Sequence, residues 1–250
     1  AMTFIWFLQN MPEVYRDTYK IGHLATYIHH RFTGEWMADL VNASKMGLYD
    51  TIHQSGWSQE LIETFGFEKR IFPEIYNPGT QLGTLLPEMA QKLGLRAGIP
   101  VAVGTNDMAA ANVGALNTKP GEIMNAAGSS EMVSVLVDRP VPNPEYYLRN
   151  TAIPGIWQVY ATTAGGFAVE WFYEQFCQDM SKDQFYGEFM ATAIDTYLDD
   201  TSVSFAPYLS GDRQSIEFKT ASWQGLTLGT TRGQMLVAVL KAMNGVLKKA

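Results

Sequence analysis

Ile99-Pro-Val-Ala-Val-Gly-Thr-Asn-Asp-Met-Ala-Ala-Ala-Asn-Val-Gly114 reads as a short strand at 101–103, a turn at Gly104, a carboxylate at Asp107 and a run of small residues suited to a tightly packed helix. In open α/β sheets, ligands gather at the carboxyl ends of strands, beside helix N-termini. A carboxylate there is placed to take a proton from a bound hydroxyl. An Asp at that position can equally serve as a helix cap. The stretch alone does not separate the two roles, so the rest of the chain has to.

At 250 residues the chain is long for one core and short for two full domains. A hydrophobic content of 46% with 12% aromatic residues describes a folded protein and argues against disorder. The net charge of −7, with no Lys/Arg cluster, argues against nucleic acid as a partner. Cys177 is the only cysteine, which excludes an intrachain disulfide and a thiolate metal cage and fits a reducing cytoplasm. No apolar run reaches the length of a membrane span. The start, Ala1-Met-Thr-Phe-Ile-Trp6, lacks the basic region and cleavage site of a signal peptide. His23, His29, His30 and His53 lack metal-ligand spacing with a carboxylate and read as exposed or half-buried imidazoles, so no protein metal site is predicted. The chain opens in an apolar segment without a cap and closes in an amphipathic helix, which reads as part of a longer protein.

Local signals divide the sequence. Pro12 and Glu13 suit a first helical turn. Leu24, Tyr27, Ile28 and Phe32 recur at helical spacing up to Gly34. Ser58 caps a helix through Phe65, and Pro87 opens one that Gly94 closes. After Lys119-Pro-Gly121 the periodicity changes: 122–127 and 131–137 read as a hairpin around Gly128-Ser-Ser130. A strand at 157–162 ends in Ala164-Gly-Gly166, and a helix over 167–178 buries Trp171, Phe172 and Phe176. Ser181 caps a further helix carrying Phe185, Phe189, Ala193 and Tyr197, and 203–209 is strand-like. The last helix carries Met235, Leu236, Val239, Leu240, Met243 and Leu247 on one face. The shift from helix-rich to hairpin-rich sequence near 114–121 is the candidate domain boundary.

Three features converge on phosphate handling. Asp107 follows its strand. The hairpin tip Gly128-Ser129-Ser130 combines close backbone approach with hydroxyl donors. Gly165-Gly166, between a strand and a helix, aims a helix N-terminus at a negative ligand. Each alone has a plainer reading, as a cap, a turn or close packing. No P-loop, dinucleotide-binding turn or nucleophile elbow occurs, which leaves a dehydrogenase or a serine hydrolase without support.

The order of these pieces resembles the FGGY carbohydrate kinases, the family of glycerol, xylulose, gluconate, fuculose and ribulose kinases. Trp6-Phe-Leu-Gln-Asn10 and Pro12-Glu-Val-Tyr15 look like the end of its first signature, and Phe32-Thr-Gly34 and Asn42-Ala-Ser44 match its Leu-Thr-Gly and Asn-Ala-Ser. Gly104-Thr-Asn-Asp107 resembles its Gly-x-x-Asp, and Gly128-Ser-Ser130 stands where it has Gly-Thr-Ser. Gly165-Gly166 with Trp171, Phe205 to Arg213, and Ala221 to Leu240 are similar to its later motifs. Lys241 replaces the acidic residue that ends the second signature. The N-terminal phosphate strand and the C-terminal adenine loop of the family do not occur in the sequence.

The resemblance implies an α/β, ribonuclease H-like fold of the actin and hexokinase type. It divides the chain into 1–115, the end of the sugar-binding domain with its catalytic Asp, and 116–250, the start of the nucleotide-binding domain. It implies that Asp107 is the general base deprotonating a sugar hydroxyl, and that ATP with Mg2+ supplies the phosphoryl group. Gly128, Ser129, Gly165 and Gly166 would hold phosphates, Glu170 would lie near the nucleotide, and Arg213 would brace a loop. A carboxylate at 170 repels phosphates, and related enzymes can carry a neutral amide there. The acceptor would be a ketose such as xylulose, a polyol or a sugar acid. A homodimer is open. The alternatives are a catalytically inactive sugar- or nucleotide-binding member of the fold, or an inactive truncated product.

Overall fold

Side-chain caps and turn residues set most element boundaries in the computed structural model, which describes residues 2–212 and 217–245. Helices α1 (Met2–Asn10) and α2 (Pro12–Asp17) open the chain, with Pro12 in the first turn of α2. Helix α3 (Leu24–Thr33) stops at Gly34, whose φ of 83° is the left-handed conformation that glycine adopts without a Cβ penalty. Strand β1 (Ala38–Asp39) runs into α4 (Leu40–Lys45), capped by the Asp39 carboxylate. Ser58 caps α5 (Gln59–Thr64) by accepting from the Leu61 N–H. Strand β2 (Ile75–Tyr76) pairs in parallel with β1. Strand β3 (Gln81–Thr84) precedes α6 (Pro87–Leu93), which starts at its proline and is closed by left-handed Gly94. Strand β4 (Pro100–Ala102) returns antiparallel to β3 and leads to α7 (Asp107–Gly114).

The hairpin follows as β5 (Ile123–Ala127) and β6 (Glu131–Val137), in a register that sets Ala127 opposite Glu131. With β7 (Tyr147–Asn150) and β8 (Trp157–Thr163) they form a four-stranded sheet in the order β5-β6-β8-β7. Helix α8 (Gly166–Phe176) leaves β8 directly. Ser181 starts α9 (Lys182–Gln184) with a full capping box, and the chain passes through a π-helical turn, Phe185–Phe189, into α10 (Met190–Tyr197). Strands β9 (Ser204–Ala206) and β10 (Ser222–Gln224) pair antiparallel before α11 (Arg232–Gly245).

The chain forms two compact units. The first comprises Ala1–Glu122, Leu136–Pro140 and Leu148–Gln158; the second comprises Ile123–Val135, Val141–Tyr147 and Val159–Ala250. In the first, Leu48, Ile62, Phe67, Ile71 and Phe72 form a core backed by Phe4, Ile5 and Leu8 of α1. A smaller cluster of Ala38, Leu40, Ala43 and Tyr49 lies under β1 and α4. In the second, Phe172, Phe185, Phe205 and the buried run Leu236–Val239 form the largest core, with Trp171 stacked on Trp223. Burial on this scale, at about 25 cal/mol per Å² of apolar surface, is the main favourable term in each unit.

Several details differ from the sequence reading. Helix α3 forms where predicted, yet Leu24, Tyr27 and Ile28 are exposed, and its buried side chains are Thr26, His29 and Thr33. The contact is too close for larger groups: a Cβ on Gly83 would lie 2.8 Å from that of Thr33. His29 is therefore buried, against the expectation of an exposed or half-buried ring. Phe176 stays on the rim of its core, while Phe172 is fully enclosed. Only Ser204–Ala206 of the strand-like 203–209 segment is a strand. Leu247 and Arg213 lie outside the described residues.

Burial holds the His29 pKa below the ordinary value of 6.5, against smaller opposing contributions from the Leu82 backbone and Glu35. Its Nε2 has no hydrogen-bond partner among the described residues, which suits a neutral ring. The unfolded chain then binds a proton that the folded chain refuses. The stabilising contribution is complete above pH 6.5 and declines as pH falls from 6.5 toward the folded-state value. Urea unfolding of the first unit at pH 7.5 and 5.5 should show this loss, and His29→Gln should flatten it.

Candidate active site

Asp107 is the first residue of α7, and its carboxylate is exposed. The backbone beneath it is fixed from several directions. The Val103 N–H donates to Thr80 O at 2.8 Å, and Val103 O accepts from the Gly79 N–H at 2.8 Å. The cap itself is Asn106, whose side chain accepts from the Ala109 N–H at 2.9 Å. Asp107 is thus freed from the capping role, and its Oδ1 accepts from the Met108 N–H at 2.8 Å. A carboxylate in the first turn also sits favourably at the positive end of the helix dipole.

Lys45, at the end of α4, was not singled out in the sequence. The surrounding chain partly desolvates its ammonium and lowers its pKa, and the Arg149 charge lowers it further; Asp107 and Asp39 act the other way. Lys45 therefore shares a neighbourhood with Asp107. The only sequence signal was its place directly after Asn42-Ala-Ser44.

In the second unit, the hairpin tip and the start of α8 form one backbone assembly. The Gly128 N–H donates to Ser130 O at 3.0 Å, the Gly166 N–H to Gly128 O at 2.8 Å, and the Phe167 N–H to Ser129 O at 2.9 Å. Of the three glycines offered to a phosphate by the sequence, Gly128 and Gly166 have their N–H groups engaged inside this loop. Gly165 has φ 55° and ψ −140°, and a Cβ there would lie 2.5 Å from Ser130 C and Glu131 N. A Cβ on Gly166 would lie 2.9 Å from Gly128 O. The hydroxyls of Ser129 and Ser130 are exposed and bonded to no other described residue. The buried Glu131 carboxylate at the base of the tip accepts from Asn125 Nδ2 at 2.8 Å. Exposed hydroxyls beside a crowded glycine turn fit a phosphate group.

Glu170 lies one turn into α8. Its carboxylate pairs with the Lys182 ammonium and accepts from the Tyr186 hydroxyl at 2.9 Å. These hydrogen bonds, Lys182 first, hold its pKa below the usual carboxylate range. Burial, together with this carboxylate, pushes the Tyr186 phenol up to about 12. Glu170 thus ties α8 to the α9 segment, with its charge offset. Lys241 donates to Asp200 O at 2.5 Å, so this departure from the family pattern has a local packing partner. Among the described residues, no group of three His, Cys, Asp or Glu side chains gathers in a way that could hold a metal, and no helix is long and apolar enough to cross a membrane.

These two assemblies, a carboxylate at a helix start and a hydroxyl-bearing glycine turn, sit on the α/β fold of the actin and hexokinase-type sugar kinases. Over 98% of this chain and 50% of its own, the xylulose kinase from Rhodospirillum rubrum superposes with a TM-score of 0.90 at 23% identity. Residues 1–114 match the FGGY family of carbohydrate kinases, N-terminal domain. An L-fuculokinase from Salmonella typhi is 28% identical over 253 residues, covering 98% of this chain and 51% of the relative. An autoinducer-2 kinase from Yersinia enterocolitica is 27% identical over 178 residues, 70% of this chain and 34% of its own. The chain is thus similar to the FGGY carbohydrate kinases over its first 114 residues and spans about half the length of the fuculokinase it matches.

Two outcomes follow. Gly165→Ala should destabilise the second unit by about 2–4 kcal/mol in chemical denaturation, because both the backbone angles and the space exclude a methyl group. Asp107→Asn should speed acylation of Lys45 at pH 8, followed by peptide mass spectrometry, because the lost charge helps keep that ammonium protonated; an unchanged rate would separate the two groups.

Proposed function

We propose that the intact kinase containing this chain transfers the γ-phosphate of MgATP to a hydroxyl of a sugar, with Asp107 as general base. The observation that carries this reading is the exposed Asp107 carboxylate, on a backbone fixed by Asn106 and Val103 and relieved of capping duty. Phosphoryl transfer requires mainly positioning and charge stabilisation, with a residue to take the proton of the attacking hydroxyl. Ser129 would hold a phosphate through its hydroxyl. Gly128, Gly165 and Gly166 would let the phosphate approach the backbone closely. Glu170 would lie near the nucleotide without repelling it, because Lys182 offsets its charge. Magnesium would arrive on the phosphates, its usual mode of binding, and supply further neutralisation of their charge.

In this reading, residues 1–115 close the sugar-binding domain and 116–250 open the nucleotide-binding domain. The family match over residues 1–114 supports that division. The acceptor is a ketose such as xylulose, a polyol or a sugar acid; the names of the related fuculokinase and xylulose kinase favour a ketose. The enzyme would work in the cytoplasm, and a homodimer remains compatible with it.

The test is sugar-dependent ADP release by the intact kinase across ketoses, polyols and sugar acids. Asp107→Asn should lower turnover on the accepted sugar by about 100-fold or more, the usual worth of a positioned base. Unchanged turnover would remove Asp107 from the chemistry. A folded protein that binds sugar or nucleotide without turnover would be the inactive member of the fold.

A further inference from the structure

We infer that Asp39 is a positioning residue for Asp107, acting through the hydroxyl of Thr105; this rests on the reading of Asp107 as the base. Asp39 is only 1% exposed. As the cap of α4 it accepts from the Asn42 N–H at 3.0 Å through Oδ1 and from Asn42 Nδ2 at 2.7 Å through Oδ2. A serine or threonine would cap the helix as well without burying a charge. The carboxylate does something more. Its Oδ1 also accepts from Thr105 Oγ1 at 3.1 Å, across 66 positions of sequence.

Thr105 lies two residues before Asp107, in the irregular turn between β4 and α7. Asn106 secures the helix side of this turn and Val103 the strand side. Among the described residues, the Thr105 hydroxyl is the one side-chain tie from the turn itself to another element. Lys45, at the far end of the helix that Asp39 caps, senses both carboxylates, so the tie and the base share one electrostatic neighbourhood. A base must reach its proton within hydrogen-bond distance. Displacement of such a group by about 1 Å can cost about 100-fold in rate. Removing the tie frees the turn to shift while leaving the capped helix in place.

The experiment measures kcat and KM for sugar and ATP in the intact kinase, with a melting curve for each variant. Thr105→Val should lower kcat by about 10- to 100-fold and leave both KM values within about threefold. Thr105→Ser, which keeps the hydroxyl, should restore kcat to within about threefold. Asp39→Ser, which keeps a helix cap but cannot reach Thr105, should lower kcat to the same degree, and the double variant should be no worse than either single one. Wild-type kcat in Thr105→Val overturns the inference. If that variant does not fold, wild-type kcat in Asp39→Ser overturns it instead. Asp107→Asn is the control: full activity there removes the base and this inference together, whereas an inactive Asp107→Asn beside a fully active Thr105→Val removes the inference alone.

Discussion

The second unit is organised by a distance at which no side chain fits. Gly165 passes so close to the backbone of Ser130 and Glu131 that a methyl group would overlap it, and its backbone angles belong to glycine alone. That approach lets the first N–H groups of α8 donate to the hairpin carbonyls. Helix starts ordinarily leave such donors for solvent, a cap or a ligand. Because they are consumed here, the tip is tied to the helix start, and the serine hydroxyls are side-chain donors that it leaves exposed. The sheet, the helix and the exposed serine hydroxyls share this one contact.

The first unit reaches a similar end by different means. Its candidate base stands on a turn with no close glycine packing, and its order comes from side chains. Asn106 takes the cap, Asp39 takes the Thr105 hydroxyl, and Asp107 is left facing solvent. With Asn106 as the cap, the Asp107 carboxylate accepts one backbone hydrogen bond, from the Met108 N–H to Oδ1, and remains exposed.

Local chemistry was legible in the sequence, and pairings made at a distance were not. Ser58, Pro87, Gly34, Gly94 and Ser181 mark helix ends because a cap involves residues only a few positions apart. The β5–β6 hairpin was legible for the same reason. The two-residue strands β1 and β2 were missed, since each is defined by a partner some 37 positions away rather than by its own pattern (Ala38 to Ile75). Helical spacing located α3 but not its buried face, because Gly22 approaches Thr26 and Gly83 of β3 approaches Thr33 too closely for larger groups. The glycines of the candidate site were legible as glycines. Whether their N–H groups were free depended on which carbonyls the fold brought to them. Asp39 and Lys45 carried no signal of their own, because their significance comes from neighbours that the chain reaches much later.

The span of the Asp39–Thr105 hydrogen bond bears on how the turn under Asp107 loses its order. Closing a loop of 66 residues costs roughly 4 kcal/mol of chain entropy by the logarithmic scaling of loop closure. The bond that closes it is worth only about 1–3 kcal/mol by itself. It can therefore persist only while the surrounding packing holds the two ends together. Gradual loosening of the first unit would release the turn under Asp107 before the Phe67–Phe72 core opened. If Asp107 is the base as proposed, catalytic rate of the intact kinase would then register early damage, by heat or by a distant substitution, that fluorescence of the buried aromatic residues would not yet detect.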